Sequence, residues 1–220
     1  MPSMRINLPN LWRPAGDAFP RTPGDGASGV ERPEQLPPSD GPQFVHRTFA
    51  FVDLCGFTEF VERRGAREAI RVLSDFRQNT REITGRRGVR AAKWLGDGVM
   101  LVGVDTGPMV ATVVELVARH AGTELGLHAG VASGSVLLFE GDDYIGQPVN
   151  LAARLSDLAG KDEVLADASS SSLAPAWVEV GMSRTRHIGG IGRVEGITEL
   201  TLAEGVRLPT RTSRDLIAAS

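Results

Sequence analysis

The chain has 220 residues, 41% hydrophobic and 23% charged, enough for one domain of ordinary size with a sizeable core and some length to spare. Its formal net charge of −3, with acidic and basic residues interspersed, provides no basic stripe and argues against nucleic acid or an anionic membrane as partner. No apolar run approaches the roughly 20 residues of a bilayer span, no signal-peptide core opens the chain, and the one cysteine, Cys55, has no internal partner, so no direct membrane insertion and a cytoplasmic location are expected.

In chain order, residues 1–44 stand apart. Nine of the 13 prolines lie there, with Gly24, Gly26 and Gly29, and such a segment buries little and lacks amide donors. It reads as a Pro/Gly-rich flexible leader, in which Leu8, Leu11 and Trp12 are the apolar exceptions with the character of a docking segment. The folded domain is expected over 45–204, with 205–220 as a loosely ordered tail. Residues 46–53, HRTFAFVD, are rich in aromatic and β-branched types and predict a short buried strand. From Thr58 the period changes. Ala69, Ile70, Leu73, Phe76 and Ile83 recur at helical spacing, which predicts helix over 58–85 with a break near Gly65.

Strands are expected at 88–95 and 98–104, joined by the tight Gly96-Asp97-Gly98 turn. Met109, Val110, Val113, Val114 and Val117 mark a second helix, and 125–132 a fourth strand. The order β-α-β-β-α-β is the ferredoxin-like split unit, an α+β core. In that topology the first strand lies antiparallel beside the third, so Asp53 falls next to Asp97 although far from it in sequence. Further on come an apolar run at 136–139, a polar turn from Glu140 to Asp143, a helix from about Pro148 to Leu158, a serine cluster at 169–172 read as loop or helix end, and two β-like runs within 177–202 around a glycine-rich GGIG stretch.

Two carboxylates at adjacent strand ends have two readings. Aspartate in a Gly-Asp-Gly turn is common surface chemistry, and that reading stands for Asp97 taken alone. Asp53 ends an apolar run and precedes a glycine turn into a helix, which fits a metal-triphosphate site: carboxylates hold Mg²⁺ or Mn²⁺ through oxygen, and amides at the helix start bind phosphate. Asn150 and Arg154, four apart on one helix face, can point at one ligand, or be a capping Asn and a solvated Arg. The histidines, His46, His120, His128 and His187, are scattered, and His128 reads as a strand and core residue.

FVDLCGFT (51–58), KWLGDG (93–98), LHAGVASG (127–134) and DYIGQPVNLAAR (143–154) resemble, in order and spacing, the motifs of class III adenylyl and guanylyl cyclase catalytic domains. The resemblance spans about residues 46–200. It implies that fold, with an extra C-terminal helix and strands beyond the ferredoxin-like core. It further implies two divalent ions, Mg²⁺ or Mn²⁺, held by Asp53, Asp97 and the Leu54 backbone carbonyl. Gly56, Phe57 and Thr58 match the segment that binds phosphate, and Lys93 and Asp143 match the pair that reads the adenine edge, favouring ATP over GTP. Asn150 and Arg154 match the residues supporting the transition state.

By the same resemblance each site draws on both subunits of a head-to-tail homodimer, with Lys93 and Asp97 serving opposite sites. One departure stands out: Val194-Glu195-Gly196 puts an acid where the family often has a base for the β- and γ-phosphates, a role left to Arg193, Arg186 or Arg90. The reading is an adenylate cyclase forming cyclic AMP and pyrophosphate. A cyclase-homology module that binds nucleotide or a partner without turnover is the alternative, and a guanylate cyclase the third.

Overall fold

The structure is a computed structural model that describes residues 43–139 and 143–208. Leu8, Leu11 and Trp12, the leader up to residue 42, residues 140–142 of the polar turn, and the tail from residue 209 lie outside the described residues.

β1 (Gln43–Leu54) leads through Gly56 into α1 (Phe57–Arg64) and, after Gly65, α2 (Ala66–Arg87). Gly65 has φ 81°, a backbone state that glycine adopts without strain, and it breaks the helical run where the sequence expected a break. Gly88, at φ 65°, closes α2 in the left-handed conformation usual for a helix end. β2 (Arg90–Leu95) and β3 (Gly98–Gly103) form the hairpin, followed by α3 (Thr106–His120) and β4 (Leu127–Phe139). The sheet order β2-β3-β1-β4, all antiparallel, is the ferredoxin-like arrangement. To it are added β5 (Asp143–Ile145), α4 (Gln147–Leu158), β6 (Val164–Ala166), α5 (Ala168–Ser171), β7 (Val178–Val180), β8 (Arg184–Ile188) and β9 (Gly192–Leu202).

β1 reads as a continuous apolar run because both of its faces are covered. Ala50, Val52 and Leu54 join the core under α2 and α3, with Phe76, Ile83, Met109 and Val113. Phe49 and Phe51 join a second core with Met100, Ala132, Leu151 and Leu155 under α4. By alternation Asp53 belongs to the α4 face, as does its cross-strand partner His128.

Three sequence expectations are revised. The strand at 125–132 and the apolar run at 136–139 are one strand, β4; its small polar middle, Ser133-Gly134-Ser135, hides the continuity. A Cβ at Gly134 would lie 2.8 Å from Pro148 Cγ, so glycine there lets α4 begin directly on the strand. Two strands of three residues, β5 and β6, are too short to show a period. The two runs expected within 177–202 are three strands, β7, β8 and β9.

Candidate active site

The pairing of β1 with β3 sets Asp53 opposite Gly98, beside the turn that carries Asp97. The fit is close: a Cβ at Gly98 would lie 2.5 Å from Asp53 Oδ1. Glycine at that position makes room for the carboxylate. Burial, reinforced by repulsion from Asp97, pushes the Asp53 carboxyl up to about 6, against the pull of His128 and a bond from the Leu54 backbone. Burial also raises Asp97, opposed by its own backbone amide and by His128. Two half-buried carboxylates short of counter-charge offer hard oxygen donors, and that chemistry suits a divalent cation. Among the described residues no group of three or more His, Cys, Asp or Glu side chains is arranged as a complete metal centre. Further oxygens would have to come from backbone or substrate.

His128 lies beside this pair, which the sequence did not anticipate. It is a strand residue as expected, but its Nε2 is 3.8 Å from Asp53 Oδ2 and its ring keeps partial exposure. Its Nδ1 donates to the Ser156 carbonyl at 2.7 Å, tying β4 to the last turn of α4. Asp157, next along that turn, adds to the repulsion felt by Asp53. Only the β1–β4 register brings these residues together, so no local motif could have revealed them.

Lys93 and Asp143 meet. Lys93 Nζ donates to Asp143 Oδ1 at 2.6 Å, joining β2 to β5 across 50 residues of sequence with both side chains about half exposed. β5 is held there by the edge-on contact of Tyr144 with Phe49, ring centroids 5.3 Å apart. No hydrogen bond or ion pair among the described residues links Lys93 or Asp143 to Asp53 or Asp97.

α4 carries Asn150 and Arg154 on its exposed side, opposite buried Leu151, Ala152 and Leu155. Arg154 Nη1 is 3.1 Å from Asp157 Oδ2, an exposed i,i+3 pair. The helix lies flush on β4 at Gly130, where a Cβ would collide with the Ala152 carbonyl and the Ser156 amide. Gly56, at φ 70°, turns the chain from β1 into α1, with Phe57 packed on the first core and Thr58 exposed. Leu54 ends β1 with its side chain buried. Glu195 is exposed on β9 and accepts from Arg193 Nε at 3.0 Å, while Arg186 lies across from Val194 on β8.

The sheet order and the helices on both faces are the fold of class III nucleotide cyclase catalytic domains. The resemblance carried by the sequence motifs is thus shared by the architecture. The adenylyl cyclase CyaB from P. aeruginosa superposes with a TM-score of 0.62 at 24% identity, covering 75% of this chain and 98% of that one. The guanylate cyclase domain of RhGC from Catenaria anguillulae, in complex with GTP, gives 0.64 at 16% identity over 74% of this chain and all of that one. Identities this low establish fold alone. In sequence, an adenylate cyclase of Streptomyces coelicolor is 36% identical over 132 residues, 58% of this chain and 34% of that protein. The chain spans about a third of the length of the curated relatives it matches. No family model matches it. Among the described residues no helix is long and apolar enough to cross a membrane.

Proposed function

We propose that this domain is an adenylate cyclase that converts ATP to 3′,5′-cyclic AMP and pyrophosphate at the interface of a head-to-tail homodimer. The observation that carries the reading is the Lys93–Asp143 pair: a donor and an acceptor side by side, half exposed, match the ring nitrogen and exocyclic amine of adenine. Guanine presents the opposite polarity at that edge, so ATP is preferred to GTP.

Asp53 and Asp97, with the Leu54 carbonyl, would hold the divalent ions, Mg²⁺ or Mn²⁺ and two per site. Such ions, when bound, screen the triphosphate and lower the pKa of the ribose 3′-hydroxyl. The chain's own groups do the rest. Amides of Gly56, Phe57 and Thr58 at the start of α1 donate to phosphate oxygens. Asn150 orients the ribose. The 3′-hydroxyl gives its proton to water, its oxygen forms a bond to the α-phosphorus as the bond to the pyrophosphate oxygen breaks, and Arg154 neutralises the charge gathering on the α-phosphate oxygens.

A site shared between two subunits is what the motif resemblance implies, and an apolar row supports it: Phe44, Leu137 and Ile145 stand side by side across β1, β4 and β5, with Phe44 74% and Ile145 56% exposed. A nucleotide-binding module without turnover is the second reading, favoured by Glu195, which ties up Arg193 where a phosphate-binding base is expected.

The test is cyclic nucleotide production by the purified chain with Mn²⁺ and either ATP or GTP. Product from ATP, with far less from GTP, supports the adenylate cyclase. Comparable product from GTP sinks the adenine assignment, and no product from either in folded, dimeric protein favours the binding module.

A further inference from the structure

His128 is a titratable side chain at the site that the proposed reaction leaves without a task, and the one whose ring faces Asp53. Its ring is held from two directions. Nδ1 faces the Ser156 carbonyl at 2.7 Å, and because a carbonyl can only accept, Nδ1 carries the proton. Ser156 is itself buried and its Oγ lies 3.4 Å from the same nitrogen, so the anchor is part of α4 rather than a mobile surface group. With Nδ1 committed, the ring is turned so that Nε2 faces Asp53 Oδ2 at 3.8 Å. On the other side of that carboxylate, Oδ1 sits against Gly98, where even a methyl group would not fit. The two oxygens of Asp53 therefore each meet a wall: the β3 backbone on one side, the His128 ring on the other.

We propose that His128 is a positioning residue that fixes the Asp53 carboxylate for metal binding and ties its orientation to the seating of α4, the helix that carries Asn150 and Arg154. The proposal rests on the cyclase reading only in taking Asp53 as a metal ligand. α4 is rigidly placed, since its backbone touches β4 at Gly130. A displacement of the helix reaches Asp53 through one imidazole, without passing through the core. Groups that orient a ligating carboxylate in this way typically change metal affinity about 10–100-fold when removed.

Two substitutions separate this role from simple packing. In His128→Asn the amide nitrogen stands where Nδ1 was, keeping the bond to Ser156 and leaving nothing beside Asp53. In His128→Gln the amide reaches the Nε2 position and can face Asp53, giving up the tie to Ser156. Mn²⁺ binding to the full chain, measured by calorimetry with a non-cyclisable ATP analogue present, reads the effect without turnover. We expect His128→Asn to weaken Mn²⁺ binding about tenfold or more, and His128→Gln to stay within about threefold of the wild type.

Unchanged binding in His128→Asn, or equal weakening in both variants, overturns the proposal. Should a variant fail to fold, ¹⁵N imidazole spectra of the wild type decide: His128 must show a protonated Nδ1, and its Nε2 signal must move as Mg²⁺ and the analogue saturate the site. A motionless signal overturns the proposal. A wild type that binds Mn²⁺ but makes no cyclic nucleotide defeats the cyclase reading and leaves this inference to be judged on binding alone. A wild type that binds no Mn²⁺ defeats the inference along with the metal assignment.

Discussion

Two clusters of buried charge in this domain are built on opposite plans. Where α2 crosses α3, Glu115 is fully buried, yet Arg86 at 2.8 Å, Arg119 at 2.6 Å and Arg87 all converge on it. Burial alone would raise its carboxyl; bonds from Arg87 and Arg86 and the charge of Arg119 outweigh that and hold it below the usual range. At the end of β1, Asp53 is less buried by surface exposure but is pushed up to about 6, first by burial and then by repulsion from Asp97, with only His128 and a bond from the Leu54 backbone opposing. Among the described residues three guanidinium groups pair with the structural acid, whereas neither strand-end aspartate has an ion pair with an arginine or lysine. A fold that compensates one buried carboxylate three times over and leaves a pair repelling each other supports the proposed assignment of that pair to a divalent cation.

The largest effect should come from breaking the uncompensated side. Asp53→Ala is expected to lower cyclic nucleotide formation about a thousandfold or more, about 4 kcal/mol of barrier, while raising thermal stability slightly or leaving it unchanged because it relieves repulsion. Activity at the wild-type level would remove Asp53 from the metal site. Mixing Asp53→Ala chains with Arg154→Ala chains sharpens the point: heterodimers carry one intact site and regain activity that neither homodimer has. Proven heterodimers without recovery would refute the shared site.

On the compensated side the outcome inverts. Glu115→Gln leaves three guanidinium groups converging on a neutral amide and should cost about 3–5 kcal/mol of stability, read as a shift in urea midpoint. Glu115 has a folded pKa below its unfolded one, so its contribution is complete above the ordinary glutamate value of 4.5 and is lost only as pH falls through the lower, folded value. The gap between wild type and variant is therefore full at pH 7 and closes in acid. A gap that does not depend on pH would mean that Gln disrupts packing rather than charge.

How far the sequence discloses this contrast depends on the range of the interactions. The elements from β1 to α3 are legible because the helices have a clear period, the strands are apolar runs and glycines stand at their junctions, and the split βαββαβ order alone places Asp53 near Asp97. The Lys93–Asp143 contact is legible only through motif resemblance, since it depends on a three-residue strand whose position is set by Tyr144 packing on Phe49. His128 reads as an ordinary strand residue because nothing local distinguishes it. Its place beside Asp53 follows from the register that pairs the two and from the bond to Ser156, 28 residues later. Glu115 likewise looks like a polar interruption in an apolar helix until α2 brings Arg86 and Arg87 to it.

A more modest effect is expected at the nucleotide edge. Reversing the polarity of the half-exposed pair, Lys93→Glu with Asp143→Lys, should keep the ion pair and the fold while moving the ATP-to-GTP ratio of kcat/KM toward GTP by about tenfold, about 1.4 kcal/mol. An unchanged ratio would show that the pair is a surface salt bridge holding β5, and that base selection lies elsewhere.

The smallest predicted effect concerns a further acid, buried Asp167, that follows neither plan. Asp167 caps α5, accepting from the Ser170 amide at 2.9 Å through Oδ1 and from the Ser133 amide of β4 at 3.4 Å through Oδ2. Burial raises its carboxyl despite those bonds, so compensation here comes from dipoles and is incomplete. A raised folded pKa means that ionisation works against the fold: the relative advantage of the native state is greatest below the unfolded value and declines as pH rises through the folded one. Asp167→Asn never ionises and keeps one acceptor for the Ser170 amide, but turns a donor toward the Ser133 amide. At pH 7 the relief of burial is thus offset by the lost 3.4 Å bond, and the variant should lie close to the wild type. Asp167→Ala loses the cap and should cost about 1 kcal/mol. If Asn proved as damaging as Ala, the negative charge itself would be holding the α5–β4 junction, and Asp167 would belong with Glu115 among the compensated acids.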